Sequence, residues 1–251
     1  MRPPAITRSQ WHSGRRVRTV ARKKIVFVLV EGPSDDSALN LLLSRIYDKN
    51  YVYVHIMHAD ITTMRGVTAA SIVSKVGNEI RAFAKNGHYK NGDFQEIIHI
   101  ADLDGAYVPE EAITEDAAAV KPMYSAQEIR TANREGILSR NRIKSANLDR
   151  LAECGIVWGV PYRLYYMACN LDHVLYRKLN CSDKEKEENA YQFAKEYMDD
   201  IPGFIGFLAQ AGEAAGTDYR KSWQYAREGR HSLERGTNLG ICFAENQEAE
   251  S

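Results

Sequence analysis

Apolar residues follow two kinds of pattern along this chain, and the change between them divides it. Up to about residue 160, short β-branched runs alternate with longer stretches of helical period. The run 24–30 predicts a first strand, and Ala38, Leu41, Leu42 and Ile46 predict a helix reaching about Tyr47. Ser34 suits its N-cap, and Asp35 and Asp36 suit its first turn. A second strand is expected over 51–57, then a loop holding Asp60 and Gly66, and a helix over 68–85 closed by Asn86-Gly87. Strand three is expected over 96–101, strand four over 156–160, with a helix over 135–153 between them. Residues 164–168 read either as continuing that fourth strand or as opening a helix. Beyond Leu171 the period is helical throughout, over 171–179, 184–200, 203–211 and 218–234. There is no internal repeat.

Alternating strands and helices predict an α/β fold whose parallel sheet has about four strands flanked by helices. The expected divisions are a basic arm (1–23), an α/β domain (24–170), a helical C-terminal region (171–245) and a polar tail (246–251). Residues 106–132 form an acidic, alanine-rich insertion with Pro109 and Pro122, too long for a simple strand-to-helix loop.

The chemistry gathers where two apolar strands end. The first stops at Glu31-Gly32, and the third at Asp102-Leu103-Asp104-Gly105. Parallel strands place ligand sites at their carboxyl ends, so these acids are expected to meet. Asp102 and Asp104 are two apart, which points both side chains the same way in extended backbone. Hard oxygen ligands of this kind suit Mg²⁺ or Mn²⁺ together with a phosphate substrate. Asp-Gly also suits an ordinary polar turn, and acids suit any helix start. Glu31 is harder to dismiss, because an acid closing an apolar central strand needs a partner or a metal.

Composition narrows the setting. No apolar run approaches the roughly 20 residues that span a bilayer, and no signal-peptide core opens the chain, so a cytoplasmic protein is expected. The four cysteines are scattered without a Cys-x-x-Cys, which argues for reduced thiols and against structural zinc. Eight of the 33 basic side chains lie within residues 1–24, leaving 25 against 33 acids in the rest. Such a basic arm on an acidic body reads as a nucleic-acid tether or a solubilising leader. Arg140, Arg142 and Lys144 on the 135–153 helix could meet phosphates, or simply form a solvated face. His55, His58 and His99 read as hydrogen-bonded core or rim residues, and Tyr162, Tyr165, Tyr166 and Tyr176 as core packing.

At Glu31-Gly32, Asp35 and Asp102-Leu103-Asp104-Gly105 the chain resembles the Toprim domain of topoisomerases, bacterial primases and several nucleases. The resemblance covers about 24–170. It implies metal-dependent phosphodiester chemistry, with Glu31, Asp35, Asp102 and Asp104 as catalytic and metal-binding residues. The stand-alone arrangement is most similar to OLD-type Toprim nucleases of phage-defence systems, which carry a further acid after strand four. Asp172, within Asn170-Leu171-Asp172, is the position that answers to it here. A late lysine of that type would be Lys178 or Lys221. Such nucleases commonly work beside an ATPase; this chain has no Gly-x-x-x-x-Gly-Lys-Ser/Thr motif, so a separate ATPase or sensor protein is the implied partner. A homo-oligomer is compatible with the pattern. The expected activity is therefore a Mg²⁺- or Mn²⁺-dependent nuclease. Its rivals are a primase-like nucleotidyl-transfer enzyme and a catalytically silent binding or regulatory subunit.

Overall fold

The computed structural model describes residues 23–47, 52–58 and 61–249, and side chains within them except at 34–36, 58 and 245–249. Residues 1–22 of the basic arm and Asp60 lie outside the described residues. Strand β1 (Lys24–Val30) is buried from Ile25 onward, because both of its faces are covered. Helix α1 (Pro33–Ile46) starts two residues earlier than an N-cap at Ser34 implies, with Pro33 in the first turn where a missing N–H costs nothing. Strand β2 (Val52–His58), helix α2 (Ile72–Asn86) and strand β3 (Phe94–Asp102) follow. Helix α2 is shorter than its pattern suggested, since residues 68–71 form a turn in which Thr68 accepts from Ser71 and Ile72.

The insertion folds into three short strands, β4 (Ile113–Glu115), β5 (Met123–Tyr124) and β6 (Ile129–Thr131), in a small sheet of order β4-β6-β5. Their apolar residues, Ile113 and Ile129, pack with Val108, Ile137, Leu138 and Leu233. Helix α3 (Arg134–Ala152) is capped by Asn133, whose side chain accepts from the Gly136 N–H. The expected fourth strand is instead a tight hairpin: β7 (Ile156–Val157) turns at Trp158 and Gly159, both at positive φ, into β8 (Val160–Met167). Residues 164–167 therefore continue a strand.

The main sheet has five strands in the order β2-β1-β3-β8-β7, and β2, β1, β3 and β8 run parallel. Strands β2 and β3 lie on opposite sides of β1, so the chain reverses its winding direction between β1 and β3. In an open α/β sheet that reversal leaves a crevice at the carboxyl ends, the place where ligands bind. Helices α2 and α3 cover one face around Phe27, Leu29, Ile97 and Tyr162. The other face, around Val26, Val28, Ile98 and Tyr165, is covered by α1.

The C-terminal region adds to that second layer rather than forming a separate body. It comprises α4 (Leu171–Tyr176), α5 (Asp183–Tyr197), α6 (Ile201–Ala211), α7 (Tyr219–Arg227) and α8 (Gly240–Ala249). Phe193, Phe204, Leu208 and Phe243 share a core with α1. Helix α7 instead joins the first layer through Trp223 and Ala226. It ends at Arg227, well short of the expected 234. The following loop runs along β8, where Asn238 accepts from the Tyr166 N–H and Gly236 from the Ala168 N–H. Helix α8 extends the ordered backbone to Ala249, into the segment read as a polar tail.

Candidate functional site

Glu31 leaves β1 two residues beyond its last pairing with β3, on the face covered by α3. The Asp102–Gly105 turn leaves β3 beside it. Leu103 N–H donates to the Met167 carbonyl and Asp104 N–H to the Cys169 carbonyl, so the turn is tied to the end of β8. Asp104 and Gly105 both take positive φ, +48° and +65°. Aspartate tolerates this region better than most residues do. At Gly105 a Cβ would stand 2.8 Å from Leu233 Cδ2 and 2.9 Å from Ile129 Cδ1, so a side chain would have to displace these at a backbone conformation that already favours glycine.

Helix α3 grips the same turn from above. Arg140 Nη2 donates to the Asp104 carbonyl at 2.7 Å, and Asn141 Nδ2 to the Gly105 carbonyl at 3.0 Å. One turn further along, Lys144 Nζ lies 2.5 Å from Asp104 Oδ2 and 3.3 Å from Glu31 Oε2, with no exposure of its side chain. Glu31 is completed by Thr62, whose hydroxyl donates to Oε1 at 2.9 Å. Thr62 is itself held by Asn147 Nδ2, which donates to its carbonyl at 2.9 Å.

The electrostatics follow from this packing. Burial alone would pull the Lys144 ammonium down, but Asp104, Glu31 and Asp102 outweigh it and hold the charge above the ordinary lysine range. Burial pushes the Asp104 carboxyl up, yet Lys144 and Arg140 reverse the direction and keep it below the usual carboxylate range. Below them, His99 is fully buried and hydrogen-bonded through Nδ1 to the Tyr162 hydroxyl at 2.7 Å. Burial, and then the charge of Lys144, lowers it to about 3.

The sequence-derived residues thus separate into groups. Glu31 and Asp104 converge on Lys144. Asp102 stands at their edge, one oxygen accepting from the Leu171 N–H at 2.9 Å. Asp172 belongs to a neighbouring group: it is 4% exposed, and its Oδ2 lies 3.3 Å from Lys186 Nζ of α5. Burial raises its carboxyl, and Lys186 only partly offsets that. Asp35 lies on the backbone of α1, and its side chain is outside the described residues.

Among the basic candidates, Lys144 overturns the expectation of a solvated helix face, because its charge is wholly internal. Arg140 is committed to Tyr124, Asn141 and the Asp104 carbonyl. Arg142 is exposed and 3.4 Å from Glu110; Lys178 is exposed and donates to Asn189; Lys221 is exposed on α7. Thr62, Asn141 and Asn147 were missed by sequence reasoning. Their signal was present for the helix: positions 137, 141, 144, 148 and 151 form one helical stripe, and polar residues interrupt it at 141 and 144.

The donor set is one of hard carboxylate oxygens. Among the described residues no three acids, histidines or cysteines group as a metal cage. Mg²⁺ does not require one, since one or two carboxylates, water and substrate phosphate commonly complete its shell. Glu31 and Asp104 fit that pattern, with Lys144 neutralising them in this state. Comparison of the chain with protein-family models, curated proteins and solved structures gives no match.

Proposed function

We propose that this chain is a metal-dependent nuclease of Toprim type that hydrolyses phosphodiester bonds of DNA or RNA. The observation that carries the reading is the convergence of Glu31 and Asp104, from two adjacent parallel strands, on one buried cation. Buried like charges are costly, and a fold that gathers them at its ligand crevice uses them. Glu31, Asp104 and Asp102 would hold Mg²⁺ or Mn²⁺, which supplies positive charge to the scissile phosphate. Asp35 and Asp172 are further candidates for the same role.

The chain's own residues do the remainder. Thr62 fixes the Glu31 carboxylate, and Arg140 and Asn141 fix the Asp104 turn. Lys144 sets positive charge beside both acids. Arg142, Lys178 and Lys221, with the basic arm, would track the substrate backbone. A separate ATPase partner and a place in anti-phage defence extend the reading, as does a cytoplasmic setting. No described helix is long and apolar enough to cross a membrane.

One observation favours a second reading. Lys144 already neutralises the acids, as it would in a catalytically silent binding subunit. Purified protein incubated with Mg²⁺ or Mn²⁺ on plasmid, single-stranded DNA and total RNA separates the two. Cleavage that falls by orders of magnitude in Glu31→Gln and Asp104→Asn supports the nuclease. If folded samples of both variants cleave as wild type does, the nuclease assignment fails and the silent-subunit reading replaces it.

A further inference from the structure

A second site lies at the opposite end of β8. A cleft of about 540 Å³ opens between the end of α3, the first residues of β8 and one face of α7. That volume falls within the range of small-ligand pockets. Its lining differs from that of the carboxylate crevice: Arg163, Arg220 and Arg227 stand with the acid Glu153 among Tyr162, Tyr219 and Trp223. Tyr162 is five positions before Met167, the partner of Asp102, which at ~3.3 Å per residue puts the cleft about 16 Å from the acids.

The groups in the cleft are arranged for a flat anion. The Arg163 guanidinium lies over the Tyr219 ring at 5.2 Å, and Arg227 over Trp223 at 5.6 Å. Arg227 is anchored by Asp149, its Nε 2.7 Å from Oδ1. Arg220 is exposed and forms no ion pair among the described residues. Trp223 is 2% exposed. Its indole N–H faces the Tyr219 hydroxyl, which donates to the Leu164 carbonyl at 2.8 Å and keeps its lone pairs to accept. Guanidinium groups bind phosphate through paired donors, and their planes stack on rings as readily as tyrosine does.

We infer that this cleft binds a mononucleotide, with Arg163 and Arg220 on its phosphate and its base lodged against Tyr219. The nucleotide is the ligand class that joins a phosphate to a planar ring at this size. Such a site is separate from the reaction centre, and it stands or falls independently of the nuclease reading.

The test is isothermal titration of the full chain with AMP, ADP, ATP and GMP in EDTA, which leaves the carboxylate crevice without metal. Intrinsic tryptophan fluorescence, to which Trp223 contributes with Trp11 and Trp158, follows the same titration. The inference expects saturable binding at micromolar concentration, retained in Glu31→Gln. It expects affinity at least tenfold weaker in Arg220→Ala and weaker still with Arg163→Ala added. Both arginines are exposed, so the variants should keep the wild-type circular dichroism. No saturable binding up to millimolar nucleotide would overturn the inference, as would unchanged affinity in the double variant. Inorganic phosphate binding as tightly as AMP would overturn the nucleotide assignment.

Discussion

Lys144 and Asp104 form an ion pair in which the lysine has no solvent contact and the aspartate is 24% exposed, with Nζ 2.5 Å from Oδ2. A pair so placed is far more costly to break than to replace. Lys144→Met should therefore destabilise the protein by about 3–5 kcal/mol, because Glu31 and Asp104 would be left repelling each other. Adding Glu31→Gln and Asp104→Asn to that variant should recover most of the loss. Urea denaturation measures both steps. A Lys144→Met protein as stable as wild type would mean that the lysine does not neutralise the acids.

The strands that bear these acids were legible because buried parallel strands are written as unbroken apolar runs. Val26, Val28 and Val30 face one layer and Phe27 and Leu29 the other, so no alternation hides the element. The β7–β8 hairpin was not legible as such. Its turn needs Trp158 at φ +53°, and nothing in the residue type announces a left-handed tryptophan. The insertion over 106–132 was legible, but no strand within it was, because its three strands have three, two and three residues, too short for a period to register. The acids themselves were readable from their position at strand ends. Their counter-ion was not, since a lysine on a helix is ordinarily solvated, and only Ile137, Leu148 and Leu151 sharing its stripe point inward.

Divalent cation should stabilise the metal-free protein through the same carboxylates. At ten times the dissociation constant, linkage gives about 1.4 kcal/mol, a rise of about 3–6 °C in Tm for a chain of this size. Mg²⁺ and Mn²⁺ should each produce it in thermal denaturation, and Asp104→Asn should abolish it. An equal shift in Asp104→Asn would place the cation elsewhere.

His99 makes stability depend on pH in a known direction. Its folded value of about 3 lies below the ordinary 6.5, because burial excludes the charged ring. A depressed base contributes its full stability above pH 6.5 and loses it as pH falls from 6.5 towards 3. Between pH 7 and pH 5 the loss should be about 2 kcal/mol. His99→Gln can still bond the Tyr162 hydroxyl but does not titrate in this range. Its urea midpoint should change less over that interval than that of wild type; parallel curves would show that His99 is not held neutral.

Thr62 offers the sharpest test of how Glu31 is positioned. It is fully buried, its hydroxyl donates to Glu31 Oε1, and Asn147 fixes its backbone carbonyl. Thr62→Val preserves the shape and removes a donor that orients that oxygen. A hydrogen bond to a charged acceptor is worth about 1.5–3 kcal/mol, so the variant should be measurably less stable. If Glu31 acts in phosphodiester hydrolysis, the carboxylate freed from Thr62 would adopt orientations that do not support the reaction. The single-turnover rate should then fall about tenfold, each 1.4 kcal/mol being a factor of ten, with little change in substrate affinity. Thr62→Ser keeps the hydroxyl and should restore the rate, which mere loss of packing would not allow. The measurement is cleavage with enzyme in excess, at saturating Mg²⁺, for wild type and both variants. A Thr62→Val enzyme that cleaves at the wild-type rate would show that the orientation of Glu31 is set by other contacts.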